Sequence, residues 1–260
     1  TATARSPKAK HTMLPGLLRQ LPALVYCATR KHVEAVTASL CQHGFAAEPY
    51  HAGLSHPQRK QVQEDFISGK TPVVVATNAF GMGVDKADIR TIVHFDLPGT
   101  LEAYYQEIGR AGRDGKPATA ILFDRAADRQ LQEFFIQNAH PPAQDVHRVY
   151  DVLRSTRENP VWLRAAEIGE QTGIEERAVQ SCLSVLRRHN MVARASSRDP
   201  VSGVTMHGVQ LLDPERALSL TEAEMDTARH HAFGQLDKMA AYPRAGCQRY
   251  TLLRYFGETP

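Results

Sequence analysis

The chain has 260 residues, 42% hydrophobic and 23% charged, a balance that excludes intrinsic disorder and suits one large or two modest cores. Cysteines at 27, 41, 182 and 247, with no Cys-x-x-Cys pair, exclude a disulfide scaffold, and no apolar run approaches the roughly 20 residues needed to cross a bilayer. The net charge is only +3, and the first 21 residues carry four Lys/Arg and no acid, so any grip on nucleic acid has to come from local patches.

Arg5, Lys8 and Lys10 precede an apolar stretch at 13–18, but Pro15, Arg19 and Pro22 interrupt it and exclude a signal peptide. Residues 1–21 read as a flexible leader, and a chain that starts at Thr1 and stops at Pro260 reads as a piece of something longer. From 22 to 138, short apolar runs alternate with amphipathic stretches. Strands are expected at 23–27, 46–50, 73–76, 92–95 and 120–123, and helices at 31–42, 57–67, 101–110 and 126–137. That alternation predicts an α/β domain with a mainly parallel sheet. Residues 138–143 are linker-like by composition. Helices then follow at 149–154, 165–172 and 175–189, with strands at 191–193 and 204–211 joined across Asp199-Pro200 and Gly203. Helix, turn, helix and hairpin over 146–213 form the pattern of a winged helix. Residues 214–260 read as helical, polar at first and closing on an amphipathic helix over 247–256.

Chemistry concentrates in three places. Gln106, Arg110 and Arg113, in Gln106-Glu107-Ile108-Gly109-Arg110-Ala111-Gly112-Arg113-Asp114-Gly115, lie four and three apart and share one face if the helix continues. Paired guanidiniums suit a polyphosphate, with an arginine finger stabilising the departing γ-phosphoryl. The alternative is a solvated basic face paired with Glu107 and Asp114. Second, Ala76 through Lys86 follows the best strand. Gly81 and Gly83 allow close backbone approach, Asp85 suits a ribose hydroxyl and Thr77 a nucleic-acid phosphate, though a plain strand-to-helix turn explains the same residues. Third, Thr29-Arg30-Lys31 stands at the end of the first strand, where a phosphate site and a helix cap with a solvated charge pair are both open.

With Tyr50-His51-Ala52-Gly53-Leu54, Ala79-Phe80-Gly81-Met82-Gly83-Val84-Asp85-Lys86 and Val93-His94-Phe95-Asp96-Leu97-Pro98, these motifs make residues 25–124 resemble the second RecA-like domain of RecQ-family DNA helicases. The resemblance implies a RecA-like sheet domain followed by a mainly helical winged-helix domain, within a 3′-to-5′ ATP-dependent DNA motor of repair and recombination. ATP and Mg²⁺ bind such motors between two RecA-like domains. Arg113 would be the finger, Arg110 its partner on the phosphates and Gln106 part of the same network. Asp85, Gly83 and Gly81 would line the nucleotide, while Thr29, Arg30 and Thr77 would hold single-stranded DNA. The N-terminal RecA-like domain, with its P-loop, would be the partner. Gly69-Lys70-Thr71 fails as a P-loop because position 64 is Glu and the segment joins a helix to a strand. The chain alone is therefore expected not to hydrolyse ATP.

Arg187, Arg188 and Arg194 are candidate contacts to duplex DNA at a junction, beside Arg154, Arg157, Arg164, Arg177 and Arg198. A DNA- or protein-binding winged-helix module without motor activity is the alternative. Cys247 opens a segment resembling the start of the RecQ zinc module, so zinc is expected in the full-length protein, where three more ligands would complete the site. In the RecQ arrangement that module directly follows the motor, whereas here the winged-helix pattern intervenes. A ribonucleoprotein-remodelling motor of a related helicase family is disfavoured by Phe80-Gly81-Met82-Gly83 and the Cys247 segment. The resemblance implies an intracellular protein at the nucleoid or in the nucleus, neither secreted nor in a membrane.

Overall fold

The computed structural model describes residues 1–80, 85–156, 158–198 and 205–259. They form two units, one of 1–132 with 235–260 and one of 133–234. The first 21 residues are not a loose leader. Strand β1 (Ala2–Thr3) pairs in parallel at one edge of the sheet, and helix α1 (Pro7–Leu17) starts on Ser6, whose hydroxyl accepts the Ala9 amide at 3.1 Å. Leu14 and Leu18 are buried in the core. Lys10 is buried too, its ammonium donating to the Phe95 carbonyl and to Asp128. A charge of the stretch read as a flexible leader is an internal pair.

The rest of the first unit follows as β2 (Ala23–Tyr26), α2 (Arg30–Gln42), β3 (Ala47–Tyr50), α3 (His56–Ser68), β4 (Val73–Ala76), β5 (Thr91–His94), α4 (Leu101–Ile108), β6 (Thr119–Asp124) and the start of α5 (Asp128–Ala139), whose later residues belong to the second unit. The strands form a six-stranded parallel sheet in the order β1-β6-β5-β2-β4-β3. A strand's side chains alternate between faces. Ala23, Val25, Val73 and Val75 therefore pack with Val33, Val36 and Leu40 of α2 on one side. Leu24, Tyr26, Val74 and Ala76 pack with Val62 and Phe66 of α3 on the other. Both faces of β2 and β4 are covered, which is why their sequences are continuously apolar.

In the second unit, α6 (Ala143–Ser155), α7 (Ala165–Thr172) and α8 (Glu176–Arg188) enclose Val149, Leu153, Ile168, Val179 and Leu186. An antiparallel hairpin, β7 (Val192–Arg198) with β8 (Thr205–Leu211), closes this core, and Val161 bridges to Val209. The expected connection through Asp199, Pro200 and Gly203, and Arg157, lie outside the described residues. Helix α9 (Glu222–Ala241) starts eight residues into the 214–260 stretch read as helical.

The closing segment is not set apart from the sheet domain. After a 3-10 turn at Tyr242–Arg244, α10 (Gln248–Tyr255) packs on α4. The Tyr255 hydroxyl bonds to Glu102, Tyr242 lies against Tyr104 with ring centres 5.2 Å apart, and Phe256 lies against Tyr105 at 4.9 Å.

Candidate nucleotide and nucleic-acid sites

The arginine segment is a turn, not a helical face. Helix α4 stops at Ile108, Gly109 caps it, and the chain tightens through bonds from the Arg110 amide to the Glu107 carbonyl and from Ala111 to Ile108. Gly112 then takes φ +63°, and a Cβ there would sit 2.7 Å from the Lys116 carbonyl, so only glycine fits. The Gly112 and Asp114 amides bond to the carbonyls of Ile89 and Ala87, which lead into the amino end of β5. Gln106 is exposed on the last turn of α4.

The carboxylates beside the arginines in sequence are engaged elsewhere. Glu107 pairs with the buried His94 at 2.7 Å, and Asp114 pairs with Arg90. Arg113 reaches instead across to Asp85, Nη1 to Oδ1 2.9 Å, with its Nε on the Gly109 carbonyl at 3.3 Å. The Asp85 side chain is 85% exposed and that of Arg113 42%, so this is a solvated pair worth under about 1 kcal/mol. Arg110 is half-buried, with its charge close to the Tyr26 hydroxyl. Its buried Nε has no hydrogen-bond partner. Burial pushes the Tyr26 phenol well above its usual range, and its hydroxyl donates to the Phe80 carbonyl at 3.1 Å. Gly81 and Gly83 lie outside the described residues.

The other three candidates gather at the carboxyl end of the strands. Tyr26 and Tyr50 are both in register with Ala76, so the segments after them leave one edge of the sheet together. The Cys27 amide bonds to the Ala76 carbonyl and the Thr77 amide to the Tyr50 carbonyl. Thr29 caps α2, its hydroxyl accepting the His32 amide at 3.1 Å. Arg30 is exposed, and a Cβ on Gly53 would come within 3.1 Å of its Nη1.

Sequence reasoning gave no role to two groups that shape this edge. His51 is buried. Its Nδ1 accepts the Gly53 amide at 3.1 Å, which leaves Nε2 to donate to Glu34 at 2.6 Å. The buried Asp96 carboxylate accepts the Ala28 amide at 2.8 Å and the His32 ring at 2.7 Å. Burial pushes the Asp96 carboxyl up, but these two bonds and the charges of His32 and Lys10 outweigh it and hold it below the usual carboxylate range. The bond to Asp96 raises His32.

In the second unit, neighbours in sequence part company. Arg188 donates to the Ala139 carbonyl at 2.9 Å. Arg187 instead bonds to Ser184 and lines a cavity of about 640 Å³ between α8 and the hairpin, together with Arg164, Arg194, His207 and Glu176. Burial and the nearby Arg194 charge lower the Arg187 pKa. Cys247 is exposed and caps α10, its sulfur accepting the Tyr250 amide at 3.4 Å. Among the described residues no cluster of three or more His, Cys, Asp or Glu stands ready for a metal, so a lone thiol does not fit a tetrahedral zinc site. No described helix is long and apolar enough to cross a membrane.

A parallel sheet carrying paired arginines on the turn after α4 defines the chain's first unit as a RecA-like helicase domain. A helicase conserved C-terminal domain matches residues 9–115. The chain is 35% identical over 241 residues to a probable ATP-dependent DNA helicase RecS of Bacillus subtilis, covering 92% of this chain and 44% of that one. It is 47% identical over 124 residues to an ATP-dependent DNA helicase RecQ of Pasteurella multocida, covering 47% of this chain and 20% of that one. Among solved structures, a DEAD box protein from Methanococcus jannaschii matches at 28% identity and a TM-score of 0.45, covering 54% of this chain and 39% of that one. The chain is thus similar to RecQ-type helicases, over the helicase C-terminal domain and, in the Bacillus subtilis relative, over most of its length. It spans less than half the length of these curated relatives.

Proposed function

We propose that this chain is the ATP-sensing, DNA-gripping part of an ATP-dependent 3′-to-5′ DNA helicase. The observation that carries the reading is the state of the two arginines: Arg113 is tethered by one solvated carboxylate, and Arg110 keeps a buried Nε without a partner. Arg113 can exchange its exposed carboxylate for a phosphate, and Arg110 has a donor free to take one. Arg113 acts as the finger on the γ-phosphate, Arg110 holds the neighbouring oxygens, and Asp85 is released toward the ribose. Thr77 and Arg30 hold single-stranded DNA, with Thr29 shaping the loop. ATP and Mg²⁺ come with a P-loop domain, whose motif is absent from these 260 residues. ATP-driven closure and opening of the two domains would shift their grips on DNA relative to each other. Such a protein works inside the cell on DNA in repair or recombination.

The chain by itself is expected to show no DNA-stimulated ATP turnover. Phosphate release above background from the purified 260-residue chain, with DNA present, would count against this division of labour.

The cavity beside Arg187 and Arg194 supports a second contact, with duplex DNA, by a winged-helix domain. Replacing Arg194 with alanine is expected to weaken duplex binding uniformly across sequences and to reduce the slope of log affinity against log salt by about 1. An unchanged slope would remove Arg194 from the phosphate contacts. Loss of duplex binding in R194A, combined with normal turnover in a finger mutant of the full-length protein, would favour a binding module over a motor.

A further inference from the structure

We propose that Asp96 is a positioning residue for the nucleic-acid contact made by Arg30. The inference rests on the reading of Arg30 as a DNA contact and assigns it a buried support.

Residues 27–29 join β2 to α2, and Arg30 is the first residue of that helix. The direction in which Arg30 leaves the sheet depends on how this junction is held. Its Cys27 amide is fixed by the Ala76 carbonyl, and its Ala28 amide by Asp96 Oδ2. The same oxygen takes the His32 ring, within the first turn of the helix, so a single carboxylate atom clamps the junction on both sides of Arg30. Asp96 is itself fixed. It lies two residues past β5, its side chain is 5% exposed, and Oδ1 stands 3.9 Å from the Lys10 ammonium. Lys10 is anchored in turn by the Phe95 carbonyl and Asp128. A chain of buried charge thus runs from α5 and α1 through Asp96 to the root of α2. Charge-assisted bonds to a desolvated carboxylate are stiff and directional, which suits a part that must hold another in register.

Asparagine is the informative substitution because it keeps the shape and removes one acceptor. If its oxygen faces the Ala28 amide, its NH₂ faces the Lys10 ammonium. If its oxygen faces Lys10, its NH₂ opposes the Ala28 amide. Either way one support is lost.

The test is a double-mutant cycle on the full chain, read by fluorescence anisotropy of a labelled oligothymidine. D96N is expected to weaken binding roughly tenfold when Arg30 is present, and by less than about twofold in the R30A background. That coupling separates positioning from general destabilisation, which would weaken both backgrounds alike. An equal loss in both, or no loss with Arg30 present, overturns the inference while leaving Arg30 as a contact. If R30A itself binds as tightly as the wild type, the DNA reading of Arg30 fails and the inference with it. Should D96N not fold, H32Q carries the same cycle, because His32 is a half-exposed partner of the same oxygen. A smaller loss that also vanishes in R30A supports the inference, and equal losses oppose it.

Discussion

Arg113→Ala in the full-length protein is expected to lower DNA-stimulated ATP turnover by about 10³-fold or more, with little change in affinity for single-stranded DNA. The reason is where the charge develops. As the γ-phosphoryl separates, negative charge spreads over its oxygens, and a guanidinium placed there stabilises the transition state more than the ground state. Arg113 is suited to that task because what holds it now is weak. Its bond to Asp85 lies in water, where a triphosphate with several charges competes easily. DNA affinity is spared because the Arg113 side chain bonds to Asp85 and the Gly109 carbonyl, and to neither Arg30 nor Thr77. Steady-state turnover and oligonucleotide binding on the same preparations check both halves. Equal turnover in mutant and wild type would leave the binding-module reading.

Lys10→Met is expected to destabilise the sheet unit by about 3–5 kcal/mol, the usual consequence of stripping one partner from a buried ion pair. Lys10 is 1% exposed and serves Asp128, Asp96 and the Phe95 carbonyl together. Without it two buried carboxylates face each other with less compensation, although burial already raises Asp128 toward its neutral form. Thermal unfolding should show a fall in melting temperature of order 10 °C. A shift within the noise would mean that α1 is peripheral after all.

The strands were legible because burial on both faces writes itself locally. Val73-Val74-Val75 has no polar position, and the structure leaves none of the three exposed. What escaped was everything set by distant partners. Lys10 meets Asp128 across 118 residues, so the basic start of the chain read as a flexible leader. The spacing of Gln106, Arg110 and Arg113 mimics a helix, but bonds to Ile89 and Ala87 pull the chain into a turn that Gly112 permits. Asp85, read as a sugar contact, pairs with Arg113 28 residues away. Arg187 and Arg188 were both read as duplex contacts, yet successive helical residues point about 100° apart, and the structure sends one into the cavity and the other to the Ala139 carbonyl. The candidate residues themselves were readable, since charge and glycine are local features. Their partners were not.

The most direct measurement is the structure of the full-length protein with a non-hydrolysable ATP analogue bound. The Arg113 guanidinium should leave Asp85 and come within about 3 Å of a γ-phosphate oxygen, with Arg110 on a neighbouring oxygen. A bound nucleotide with Arg113 still on Asp85, and neither guanidinium touching phosphate, would contradict the assignment of this turn to ATP.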